Sequence, residues 1–178
     1  MPRPPSPAAR FGTRFHEWVE HHFAGALAVG ELGQQQLIDP DDLPGRADAR
    51  ATDETDLREL CDTFLAGQFG HSVPYAVEAP FSLLVGGRLV RGRIDAIYRV
   101  PTSSSQDERF LVVDWKTSRT EAADPLQLAI YRLAWAEVCG LPLEQVDAAF
   151  YYVRTDQLVH PEGLADRSGI QELLVGRR

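Results

Sequence analysis

Apolar residues recur at helical spacing near the start of the chain and at every second position in its middle, so the local period changes from 3.6 to two. From Phe11 to Ala28 the stripe Phe15, Trp18, Val19, Phe23, Ala26 and Leu27 predicts an amphipathic helix. Leu57, Leu60, Phe64 and Leu65 predict a second helix over Glu54–Gln68. Tyr75–Leu84, Leu89–Val100 and Phe110–Trp115 then read as three consecutive antiparallel strands. Gly86-Gly87 makes the first turn and the polar segment 101–108 the second connection. Asp124-Pro125 opens a helix that stops before Gly140 and Pro142, and Val146–Val153 is a further strand, parallel to its predecessor after the helical crossover. The expected fold is α/β, a central mixed sheet flanked by helices in the order α-α-β-β-β-α-β.

The four prolines of residues 1–10 suggest a linker, residues 39–53 a loop, and residues 157–178 a polar tail with one short helix near Ile170–Leu174. This leaves residues 11–156 as one folded domain, with 44% hydrophobic residues to build its core. The apolar runs fall short of a membrane span and no signal-like segment opens the chain, so a soluble, cytoplasmic protein is expected. Cys61 and Cys139 lack metal-ligand spacing and cannot by themselves hold a four-cysteine iron–sulfur cluster.

A net charge of −8 weakens any long-range attraction to nucleic acid, but the charge is unevenly spread. Residues 39–59 carry eight acids against three arginines, whereas residues 86–119 carry six arginines and one lysine against four acids. Lys116 is the only lysine among 18 lysines and arginines, and it stands two residues after Asp114. Lysine is a compact ammonium on a flexible stem and arginine a wide fork, so a lone surviving lysine suggests a position that needs the former.

Asp114 and Lys116 share one face of their strand, and Val113 and Trp115 the other. In the preceding strand Val90, Ile94, Ala96 and Tyr98 are expected on one face, with Arg91, Arg93, Asp95 and Ile97 opposite. Pairing of these strands would bring Asp95 and Asp114 together with Lys116 nearby. Two carboxylates held together call for a cation, and an oxygen-rich site suits Mg²⁺ or Mn²⁺. Such a set fits phosphodiester hydrolysis, although an Asp-X-Lys triplet taken alone far more often describes a surface hairpin with a salt bridge. Gly12, His16 and Glu20 share a helical face, and His16 can add a nitrogen ligand. Gln127 and Tyr131, also four apart, form a polar pair on an apolar helix. The Gly87–Gly92 spacing mimics a phosphate-binding loop, but Arg93-Ile94 follows where Lys-Ser/Thr is required.

Gly12-X-X-X-His16, Gly92-Arg93-Ile94-Asp95, Val113-Asp114-Trp115-Lys116-Thr117 and Gln127-X-X-X-Tyr131, in this order, resemble the RecB family of PD-(D/E)XK nucleases. The likeness is to the C-terminal nuclease domain of bacterial helicase–nucleases of the AdnAB, AddAB and RecBCD type, and spans about residues 11–153. It implies a restriction-endonuclease-like core in which His16, Asp95, Asp114 and the Trp115 backbone carbonyl bind metal and Lys116 is catalytic. Gln127 and Tyr131 would contact DNA or support the site, Arg93 would contact DNA, and Glu78 matches an additional acidic position. The resemblance further implies Mg²⁺ or Mn²⁺ as cofactor and single-stranded DNA as substrate. It also implies a helicase motor in the full-length chain, a partner subunit and a nucleoid-associated setting in a bacterium. The absent cysteines point to the branch without an iron–sulfur cluster. The alternatives are a catalytically inactive nuclease-like scaffold for DNA or a subunit, and a resolvase- or restriction-like enzyme.

Overall fold

The computed structural model describes residues 7–27, 47–102, 108–118 and 123–176. Two helices, α1 (Pro7–Leu27) and α2 (Ala47–Ala66), precede β1 (Ala76–Val85), β2 (Arg88–Val100) and β3 (Arg109–Lys116). Helix α3 (Pro125–Cys139) crosses to β4 (Val146–Tyr152), and β5 (Gln157–Val159) and α4 (Arg167–Gly176) complete the domain. The strands form one sheet in the order β1-β2-β3-β4-β5. All neighbours are antiparallel except β3 and β4, whose parallel pairing follows from the α3 crossover.

Local chemistry accounts for the boundaries. Gly86 and Gly87 sit at φ 57° and 71°, the two left-handed positions of a two-residue hairpin turn that matches strand twist. Asp124 Oδ1 accepts from the Leu126 amide to cap α3, and Gly140 at φ 65° ends it. Each face of the sheet carries its own core. Phe81, Ile94, Ile97, Val112 and Phe150 pack with α3 and Ile170 of α4 on one side. Phe15, Val19, Phe64, Val113, Trp115 and Tyr151 pack α1 and α2 on the other.

Three expectations change. Pro7–Arg10 belong to α1, with Pro7 at the first helical position where its missing N–H costs nothing, so the linker reading covers at most residues 1–6, outside the described residues. Ala47–Asp53 are the start of α2: the three alanines and Arg50 there favour helix more than the acidic composition favours a loop. The rest of the expected loop, residues 39–46, lies outside the described residues. The polar tail is built into the fold, because Gln157–Val159 pair with β4 and α4 buries Ile170 completely. Arg88 and Arg167 fasten α4 further by hydrogen bonds to Leu174 O (2.7 Å) and Leu84 O (3.0 Å).

A fourth difference shapes the site. Ile94 and Ile97 both pack in the α3 layer, while Ala96 and Tyr98 pack against α1 and α2. Ile94 and Ala96 therefore do not share a face, and the alternation of β2 slips by one at Asp95. β1 slips at the matching point: Val77 packs toward α1 and α2, Ala79 and Phe81 toward α3, and Glu78 between them takes φ 49°. The flanking pairs Val77↔Ala96 and Ala79↔Ile94 keep register, so Glu78 and Asp95 stand opposite each other across a local break.

Candidate metal centre and active site

The break in β1 and β2 turns two acidic side chains toward α1. His16 Nδ1 lies 3.1 Å from Glu78 Oε1 and 3.6 Å from Asp95 Oδ1. Ligand atoms of His16, Glu78 and Asp95 all fall within 4.8 Å of one another. The β2–β3 ladder ends at Ala96↔Val113, and beyond it Asp95 Oδ2 accepts from the Trp115 amide at 2.8 Å, replacing a backbone acceptor with a carboxylate. Asp95 and Asp114 are the two buried charged residues among those described, 7% and 2% exposed.

Asp114 and Lys116 project from β3 toward α3. Lys116 Nζ lies 2.6 Å from Asp114 Oδ2, an oxygen with no hydrogen-bond partner of good geometry among the described residues. The same ammonium donates to Gln127 Oε1 at 2.9 Å and sits 5.2 Å from the centroid of Phe150. Gln127 Nε2 in turn donates to the Tyr131 hydroxyl at 3.1 Å. The four-residue spacing of Gln127 and Tyr131 thus makes a relay that holds the lysine head.

Electrostatics mark the centre as short of positive charge. Burial, reinforced by Asp114, pushes the Asp95 carboxyl up to about 7 against the pull of His16 and the Trp115 amide. Burial also raises Asp114, with Lys116 opposing. Burial lowers His16, but its bond to Glu78 and the charges of Asp95, Glu78 and Asp114 outweigh that and carry it to about 8. An imidazole nitrogen and crowded carboxylate oxygens are a donor set that fits Mg²⁺ or Mn²⁺, and a divalent cation would relieve the repulsion.

Ligation would remove protons that His16 and Asp95 retain near neutrality. Mn²⁺ affinity should therefore rise as pH increases from 6 to 8, with proton release visible by calorimetry in buffers of different ionisation enthalpy. An affinity flat across this range would show that these two groups are not ligands.

Not every expected residue joins this group. Glu20 is exposed on α1, and Arg93, on β2, is exposed without a hydrogen bond or ion pair among the described residues. The Trp115 amide is engaged by Asp95, while its ring packs edge-on to His16 at 5.9 Å. Arg154, just after β4, was missed in the sequence. It makes a two-pronged ion pair with Asp56 of α2 (2.9 and 2.7 Å), donates to Thr117 O at 2.9 Å, and lies 5.4 Å from the Phe11 ring. It thereby ties α1 and α2 to the residue after Lys116. No local motif marks it, because only the parallel alignment of β3 and β4 brings it there.

Among the described residues no helix is long and apolar enough to cross a membrane. No curated protein matches this chain. The solved "Crystal structure of SSO0001" aligns at 22% identity and a TM-score of 0.39, covering 71% of this chain and 59% of that chain. The sequence profile of the PD-(D/E)XK nuclease superfamily matches residues 1–173, and the five-stranded mixed sheet flanked by helices is consistent with its restriction-endonuclease-like core. Enzymes of that family hydrolyse phosphodiesters with divalent metals, and the chain belongs to the PD-(D/E)XK nuclease superfamily.

Proposed function

We propose that this domain is a Mg²⁺- or Mn²⁺-dependent deoxyribonuclease of the RecB type, acting on single strands fed to it by an attached helicase during double-strand-break processing. The observation that carries the reading is the convergence of two buried carboxylates, Asp95 and Asp114, with His16, Glu78 and a single pinned lysine. His16, Glu78 and Asp95 would hold the metal, with Asp114 and the Trp115 carbonyl completing its ligands. Bound there, a divalent ion would activate water and neutralise charge on the phosphate.

Lys116 is held ready for the same charge. Gln127 Oε1 accepts a hydrogen bond from it and Asp114 sits beside it, leaving another N–H to donate to a phosphate oxygen as negative charge grows. The partner subunit and the nucleoid setting in a bacterial cytoplasm follow from the same family resemblance. The net charge of −8 gives DNA little long-range electrostatic attraction, which fits delivery by a motor better than capture from solution.

Incubating the domain with labelled single-stranded and duplex DNA in Mn²⁺, Mg²⁺ or EDTA tests the reading. Cleavage of the single strand that requires metal is expected. Metal binding without cleavage of either substrate, persisting when the full-length protein is supplied with ATP, would instead mark a non-catalytic scaffold.

A further inference from the structure

A groove of about 330 Å³ opens between the β1–β2 hairpin, α3 and Leu174 of α4. We propose that it is a subsite for the nucleobase and sugar next to the scissile phosphate, an assignment that rests on the nuclease reading above. The groove meets the reaction centre through one lining residue, Gln127, whose Oε1 accepts from the Lys116 ammonium at 2.9 Å. Gln127 and Tyr131, the pair that holds the Lys116 ammonium, both line it. Its volume lies in the range of small-ligand pockets, about 300–1,000 Å³.

The lining suits a base better than a second phosphate. Phe81 packs edge-on to Tyr131, centroids 5.6 Å apart, and the two rings form an aromatic wall. Phe81 lies over its cross-strand partner Gly92, where an added Cβ would come within 2.9 Å of the ring. The bare backbone at Gly92 is therefore what lets the ring lie there. Val90 adds a half-buried apolar surface, and exposed Arg91 supplies a cation to stack on a base or bond its edge. Tyr131 accepts from Gln127, and burial lifts its hydroxyl to about 12, so it keeps its proton to donate. The Asp124 carboxylate, which also lines the groove and caps α3 through Oδ1, would repel another phosphate. A base in a stacked duplex cannot enter such a groove, so the subsite also favours single strands.

The test uses end-labelled single strands, intact or carrying one abasic residue, cut by the wild-type domain and by Arg91→Ala and Val90→Trp. The wild type should cut one of the two bonds flanking the abasic residue on the order of tenfold more slowly than the same bond in the intact strand, mainly through KM. Within each variant this intact-to-abasic ratio should fall toward one. Equal cutting of intact and abasic strands by the wild type would overturn the subsite and leave the nuclease reading standing. A wild-type ratio that both variants preserve would place base contact elsewhere, and the subsite would fall on that result too. A domain that cuts neither strand in any metal, with or without its full-length context, would overturn the nuclease reading itself.

Discussion

Replacing Lys116 by alanine is expected to lower single-strand cleavage by about 100- to 1,000-fold through kcat, the loss typical when one positioned donor to a developing negative charge is removed. Binding of Mn²⁺ should survive, because the His16, Glu78 and Asp95 ligand atoms lie in other elements. Lys116→Arg is the sharper variant. The ammonium is enclosed by Asp114 at 2.6 Å, Gln127 at 2.9 Å and the Phe150 ring at 5.2 Å, so a planar guanidinium on a longer, stiffer head cannot take its place. Arginine should restore the charge but not the rate. Steady-state cleavage with a metal-induced thermal shift alongside decides the matter: an arginine variant within a few-fold of wild type would reduce Lys116 to a general counter-charge for Asp114.

Asp95→Asn is expected to abolish cleavage while making the metal-free domain more stable at alkaline pH. A carboxyl whose folded pKa lies above its unfolded value supports the fold when protonated. That support is complete below about pH 4 and is lost as pH rises through about 7. An asparagine carries no charge to bury beside Asp114, and its side-chain carbonyl can still accept from the Trp115 amide. The gain at pH 8 should be on the order of 1–2 kcal/mol. The full linkage is not recovered, because charged His16 loses one of its carboxylate neighbours. Thermal unfolding in EDTA should show a midpoint a few degrees above wild type at pH 8 and little difference near pH 5. Added Mn²⁺ should reverse the order at pH 8, since only the wild type keeps the full ligand set. A variant less stable than wild type at both pH values would mean that Asp95 is structural, its bond to Trp115 outweighing its burial.

Much of this domain could be read along the chain, because the signals concerned are local. The Gly86-Gly87 turn, the Asp124 cap, the Gly140 stop and the alternation of β3 each depend on residues within a few positions of one another. Asp114, Lys116, Gln127 and Tyr131 were legible for the same reason, since two-residue spacing on a strand and four-residue spacing on a helix put side chains on one face. β5 escaped notice because three residues of mixed polarity carry no period and become a strand only against β4. The start of α2 escaped because charge composition is a weaker guide to a segment than its helix propensity and its neighbours.

What the sequence determined by itself was the four helices and the first four strands, their order, and which polar residues sit at strand and helix positions fit for chemistry. What only the tertiary structure decided was how those residues meet. A strict period of two puts Ile94 and Ala96 on one face, yet paired slips at Glu78 and Asp95 turn these acids toward His16, a break that exists only once β1 and β2 are aligned. Arg154 reaches Thr117 and Asp56 only because β4 runs parallel beside β3. The groove lined by Phe81, Gln127 and Tyr131 likewise needs a hairpin and a helix distant in sequence to approach each other. Local spacing orients a side chain relative to its own element. The distance between elements is set by the burial of two separate apolar layers, one on each face of the sheet, and that burial involves the whole chain.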